Sequence, residues 1–211
     1  MPDEVRVVAS MAELVEVLGS TPANGRAVVL IGGADFTQAD LEAELRGFLA
    51  NLAGYLESTG TALVDGGTES GVMRLIAEAR GAIGGTFRLV GVAPALAVSR
   101  PTRTGAPIEV ARDHDLVVLV PGSRFGEESP WLFAAADHLG GGAAHTVLVN
   151  GGDLALDEAR GRIATGHLVV AVGGSGRAAD TLASDAGLRA SGRLRVIPLT
   201  ADRAAIAAAL E

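Results

Sequence analysis

The chain of 211 residues carries a formal net charge of −8, 3% aromatic residues and no cysteine. That length suits a single domain with a full core, the acid excess and scarce aromatics disfavour a nucleic-acid surface, and the missing cysteine excludes disulfides, iron–sulfur clusters and thiolate metal sites. All 17 basic residues are arginine, which removes the Walker A lysine, any Schiff-base lysine and a pyridoxal aldimine. The start, MPDEVRVVAS, holds two acids and no long apolar core, so a secretory signal is not expected. No apolar run approaches the ~20 residues of a membrane helix, and a cytoplasmic location is the expectation. The Ala-, Gly- and Arg-rich, lysine-free composition points to a GC-rich bacterial coding sequence.

In chain order, apolar runs predict strands at residues 5–9, 27–31, 62–64, 88–92, 116–120, 146–149, 167–172 and 193–199. Helical spacing predicts helices at residues 11–18, 37–58, 70–81, 130–139, 153–163, from about 176, and 201–210. Thr37 with Asp40 three residues on reads as a capping box opening the second of these. Residues 99–113, with two prolines, a glycine and no period, read as a surface loop. Strand and helix alternate throughout, which predicts an α/β fold, a three-layer, doubly wound and mostly parallel sheet.

Four strands close on a glycine pair: Ile31-Gly32-Gly33, Asp65-Gly66-Gly67, Asn150-Gly151-Gly152 and Val172-Gly173-Gly174. In a parallel sheet these turns share one edge, where ligands of open α/β folds bind. Each precedes a helix whose first N–H groups lack internal partners, the setting for an anion. The segment from Thr61 to Arg80 carries the pattern most fully, with Val72, Leu75, Ile76 and Ala79 as an apolar stripe behind Ser70. The segment from His167 to Ala183 repeats it, with Gly174, Gly176 and Ala179 in a relaxed G-x-G-x-x-A spacing. There Arg177 is placed to meet a phosphate and Asp180 to meet ribose hydroxyls, against the plainer reading of a solvated surface arginine and an acid that complements the helix dipole.

GGTESGVM at residues 66–73 followed by GSGRAAD at 174–180 resembles the SLOG superfamily of LOG/Smf-like Rossmannoid proteins. It is most similar to the LSDAT group, found at the N-terminus of melastatin-type TRP channels (TRPM-like) and in stand-alone prokaryotic proteins. LIGGADF (30–36) and HDLVVLVPGSRFGEE (114–128) add to the resemblance, which spans about residues 27–185. It implies a Rossmann-like domain over residues 1–211 that binds a nucleotide-derived ligand: ADP-ribose, an NAD-like molecule or a nucleoside phosphate. The contacts it implies are Gly66, Gly67, Thr68, Ser70, Gly71 and Val72 at one turn. Gly174, Ser175, Gly176, Arg177 and Asp180 form the other, over a floor of Gly32, Gly33, Pro121 and Gly122. Glu69 stands out beside a phosphate site, because a carboxylate repels the ligand unless it points outward.

Two functions follow as alternatives. The first is a sensor or ligand-binding module with no cofactor, no metal, no nucleic acid and no membrane partner, and with a homodimer as a possible assembly. The second is an N-glycosidic hydrolase of the Lonely Guy phosphoribohydrolase type, with Asp180 or Glu127 as catalytic carboxylates. Asp180 stands where those enzymes carry a glutamate, while Val172 and Arg177 replace their proline and threonine and their Met-x-x-Arg-Lys segment is missing. Glu127 and Glu128 read equally as crevice acids and as helix-start acids. His114, between Asp113 and Asp115, reads as a solvated strand entrance with a general base as its rival. The other histidines show no metal-ligand spacing, and no G-x-S-x-G elbow is present.

Overall fold

We describe residues 2–21, 24–33, 39–98 and 108–211 of a computed structural model of the chain. Strand β1 (Glu4–Val7) leads to helix α1 (Met11–Leu18). A reciprocal cap opens that helix: Ser10 Oγ accepts the Glu13 amide at 3.2 Å, and the Glu13 carboxylate accepts the Ala9 amide at 2.9 Å. Next come β2 (Ala27–Gly32), α2 (Ala39–Thr59), β3 (Ala62–Asp65), α3 (Gly71–Ala82) and β4 (Leu89–Pro94). They are followed by β5 (Leu116–Val120), α4 (Ser129–Leu139), β6 (His145–Val149), α5 (Asp153–Ala164) and β7 (Val169–Gly173). The chain closes with α6 (Arg177–Ala183), α7 (Ala186–Ala190), β8 (Leu194–Pro198) and α8 (Arg203–Leu210). The expected helix start at Thr37 and most of the expected loop, residues 99–107, lie outside the described residues.

The eight strands form one sheet in the order β1-β5-β4-β3-β2-β6-β7-β8, and every pairing is parallel. Helices cover both faces, which is why the inner strands are apolar at successive positions instead of at every second one. Along β2, Val29 and Ile31 enter one core layer with α1, α4, α5 and α6, and Val28 and Leu30 enter the other with α2, α3 and α8. Helix α2 buries Leu45, Phe48, Leu49, Leu52, Tyr55 and Leu56 along one stripe, each large apolar side chain worth roughly 1.5–3 kcal/mol. No helix among the described residues is long and apolar enough to cross a membrane.

Strand order positions the site. From β2 the chain steps outward through β3, β4 and β5, then returns to set β6 against the opposite side of β2. The ends of β2 and β6 are therefore where the winding reverses, and the helices that follow leave on opposite faces and open a crevice. Register brings Gly32 level with Val149, so the Gly32-Gly33 and Asn150-Gly151 turns sit side by side. Helix α7 is unexpected from periodicity, being only one turn and held by Asp185, whose carboxylate accepts the Leu188 amide at 3.0 Å.

Candidate ligand-binding site

A cavity of about 340 Å³ occupies the crevice beyond the strand ends, within the size range of small-molecule sites. Its turn side is formed by Gly32, Gly33, Gly66, Thr68, Ser70 and Arg177. Its walls are apolar, with Ile31, Met73, Ile108, Phe125, Leu132 and Leu154 among them.

The β3 turn is built around a buried ion pair. Asp65 and His114 are both fully buried, with His114 Nε2 at 2.9 and 3.1 Å from the two carboxylate oxygens. A carboxylate only accepts, so Nε2 carries the proton. Burial, the largest single influence, works against the imidazolium, but the charge and hydrogen bond of Asp65, with the charges of Asp115 and Glu69 added, together raise the His114 pKa. His114 is thus neither a solvated entrance nor a base open to the crevice: it anchors the turn from beneath. Asp65 Oδ1 also accepts the Gly67 amide at 2.8 Å, fixing the turn that presents Thr68 and Ser70, whose hydroxyls are 2.9 Å apart. The segment after residue 107 crosses this turn. Val110 bridges to Thr68, the Glu69 amide donates to the Glu109 carbonyl at 2.9 Å, and the Glu69 carboxylate accepts the Arg112 amide at 2.8 Å. Glu69 therefore turns away from the cavity.

The β6 and β7 turns lock together. Ser175 is fully buried, its hydroxyl accepts the Asn150 amide at 2.8 Å, and the Asn150 side-chain amide donates to the Ser175 carbonyl. Asn150 (φ 56°) and Arg177 (φ 50°) both take left-handed backbone, unusual for residues with a Cβ. Arg177 lays its guanidinium over Gly152, where a Cβ would meet Nη2 at 3.0 Å, and the glycine is what gives it room.

This locking corrects one expectation. The amides of Ala178 and Ala179 at the start of α6 donate to the carbonyls of Gly151 and Asn150, at 3.2 and 3.0 Å. The Gly174 amide donates to Asp180 Oδ1 at 2.7 Å and the Ser175 amide to the Val172 carbonyl at 3.3 Å. Four of the amides expected to meet an anion here are thus used in holding the turns, which leaves those of Gly176 and Arg177 beside the Arg177 side chain. At α3 the Val72 amide likewise donates to the Gly33 carbonyl at 3.1 Å.

Two carboxyls also line the cavity, Glu128 at the cap of α4 and Glu158 on α5. Glu128 is 6% exposed, and one carboxylate oxygen accepts the Gly126 amide at 2.7 Å. Glu158 accepts a hydrogen bond from the Ser129 hydroxyl. Burial raises both acids, Glu158 to about 7 with the Glu128 charge adding to the effect.

With this geometry in view, the family becomes plain. The profile described as SLOG in TRPM, prokaryote (LSDAT_prok) matches residues 26–208. The chain belongs to that family. Two solved structures share the fold of this SLOG protein. The structural-genomics target TM1055 is 23% identical, with a TM-score of 0.58, over 82% of this chain and 91% of its own. The molybdenum cofactor binding protein from the phototrophic bacterium Rippkaea orientalis is 14% identical, with a TM-score of 0.60, over 87% of this chain and 93% of its own. A search of curated protein sequences finds no match. Family and fold together point to a ligand-binding role.

Of the residues singled out in the SLOG motifs, Gly32, Gly33, Gly66, Thr68, Ser70 and Arg177 come together on the cavity. Gly67, Gly71 and Val72 support the β3 turn without lining it, as Ser175, Gly174, Gly176 and Asp180 support the β7 turn. Pro121 and Gly122 lie off the cavity, since Gly122 packs against Pro94 and Glu127 at the end of β4. Glu127 is occupied by the Ser123 amide, at 2.7 Å, and by Arg124. Among the cavity residues that the sequence reading does not single out are Glu158, Leu132 and Leu154. Glu158 had a signal: a carboxylate one turn beyond Leu154 and Ala155, on the inward stripe of α5.

Proposed function

We propose that the chain, as one domain, binds a phosphate-bearing, nucleotide-derived small molecule such as ADP-ribose, an NAD-like molecule or a nucleoside phosphate. The phosphate sits against Arg177 and the Thr68 and Ser70 hydroxyls, and the organic body fills the apolar part of the cavity. The observation that carries this reading is Arg177, held in left-handed backbone with its guanidinium over Gly152 on the cavity wall. Strain at a polar residue beside a cavity is a mark of function, and a guanidinium suits a phosphate's paired oxygens. One neighbour of the same fold is a molybdenum cofactor binding protein, which accords with small-molecule binding on this scaffold. Binding is favoured over N-glycosidic cleavage because Asp180 and Glu127 are hydrogen-bonded to their own loops and line no part of the cavity.

The test is calorimetry of the full chain with AMP, ADP-ribose and NAD, for wild type and Arg177→Ala, alongside an assay for released base or ribose 5-phosphate. The expected result is saturable binding of at least one compound, weakened about tenfold or more in Arg177→Ala, without turnover. Absence of binding by all three refutes the reading, and turnover moves it to the hydrolase.

A further inference from the structure

We propose that Glu128 and Glu158 form a second subsite of the cavity, one that takes a positively charged nitrogen of the ligand, a pyridinium ring or a protonated amine. This rests on the phosphate-binding reading of the same cavity, and it assigns the opposite end of the ligand.

Geometry argues for it in three steps. Glu128 is 6% exposed and lines the cavity, with one carboxylate oxygen on the Gly126 amide and no basic side chain paired with it among the described residues. A buried carboxylate aimed into a space walled by Leu132, Leu154 and Phe125 carries an unmet demand for a donor or a positive charge. Glu158 faces the same space from α5, held by the Ser129 hydroxyl next in sequence to Glu128, so the two acids are presented together.

Charge separation supplies the third step. Arg177 lines the same cavity, yet it makes no ion pair with either acid among the described residues. A cavity lined by a guanidinium and by two carboxyls that form no ion pair with it complements a zwitterion, whereas an anion alone satisfies only the guanidinium.

Proton linkage follows from the same arrangement. The charged groups facing Glu158 are Glu128, from the cap of α4, and Arg177, from the start of α6. Burial first, and then the Glu128 charge, hold the Glu158 pKa at about 7, so at neutral pH the carboxyl is partly protonated. A cation entering the subsite favours the ionised form and expels that proton. Its affinity therefore rises with pH across neutrality, whereas an uncharged ring gains nothing.

Nicotinamide mononucleotide and its reduced form separate the two ends, because they carry the same phosphate and differ in ring charge. Their affinities for the full chain, with AMP as a phosphate reference, are measured by calorimetry in EDTA at pH 7 and pH 8.5. The oxidised form is expected to bind about tenfold tighter than the reduced one at pH 8.5, with a smaller margin at pH 7. Glu158→Gln, and independently Glu128→Gln, bring the two forms to equal affinity. Equal affinities in the wild type overturn the subsite, as does a margin that survives both substitutions. AMP binding without ring-charge preference refutes the subsite alone; no binding by any of the three compounds refutes it together with the phosphate reading.

Discussion

Gly32 ends the central strand and begins the floor of the cavity, and replacing it with alanine probes whether that floor is as tightly set as its contacts indicate. A Cβ at position 32 collides with the carbonyl oxygen of Val149 and reaches 2.9 Å from Val72 Cγ2. Neither neighbour yields easily. Val149 is fixed by the parallel register of β2 against β6, and Val72 is fully buried with its amide bonded to the Gly33 carbonyl at 3.1 Å. The methyl must therefore push β6 outward or displace α3, an overpacking cost of about 2–3 kcal/mol. For a domain of this size that is a fall of roughly 5–10 °C in Tm. Differential scanning calorimetry of Gly32→Ala beside Gly161→Ala checks it. Position 161 lies in α5 with nothing within 4 Å of an added Cβ, and there alanine should stabilise by about 0.5–1 kcal/mol. A Gly32→Ala protein melting within a degree of wild type would refute the close-approach argument, because the backbone must then have slack that the sheet register denies.

Two further outcomes follow from buried charge. Arg162, 4% exposed in its side chain, meets Asp137 through two bonds of 2.8 Å, donates to the Ala144 carbonyl and lies over the Phe133 ring at 4.9 Å. Arg162→Met removes one partner of a largely buried pair and should cost about 2–4 kcal/mol in urea unfolding; a loss below about 1 kcal/mol would show that the methionine packs as well as the ion pair holds. The second concerns pH. Glu158, raised from 4.5 to about 7, is protonated in the folded chain where the unfolded chain is ionised. Its contribution to stability is present below about pH 4.5 and lost as pH rises through about 7, and the raised His114 changes in the same sense above its unfolded value. Wild-type Tm should therefore fall from pH 6 to pH 8, and Glu158→Gln should flatten part of that fall; a parallel profile for the variant would remove Glu158 as its source.

The fold was legible because its signals are redundant. Val28 to Ile31, Leu63-Val64, Val117 to Val120 and Val169 to Val172 are runs that only a strand covered on both faces uses so economically, and helical patterns intervene between them. Glycine pairs at the strand ends likewise mark the edge of the sheet that carries the cavity, since register and winding bring them together. The acids were harder to read. Glu127 and Glu128 are adjacent and chemically alike, and only the path of the turn after β5 sends one to the Ser123 amide and the other into the cavity. His114 reads as a solvated entrance because of its flanking aspartates, whereas its partner, Asp65, is remote in sequence. Pairings across such separations leave no periodic trace, so a single sequence carries no sign of them.

The same distinction governs how the cavity would meet the proposed phosphate. A glycine-rich turn before a helix suggests free amides, but amides are donors to whatever lies nearest, and around β6 and β7 the nearest acceptors are each other's carbonyls. Asn150 and Ser175 draw the two turns so close that α6 caps itself on the neighbouring turn. With the Ala178 and Ala179 amides engaged, the start of α6 keeps few free donors for a phosphate. Recognition then falls to a full charge on a side chain, which is why Arg177, and not the glycines around it, is the residue whose loss should weaken binding. The glycines act one step earlier: Gly152 leaves the space the guanidinium occupies, and Gly176, at φ 91°, turns the chain so that Arg177 enters the cavity.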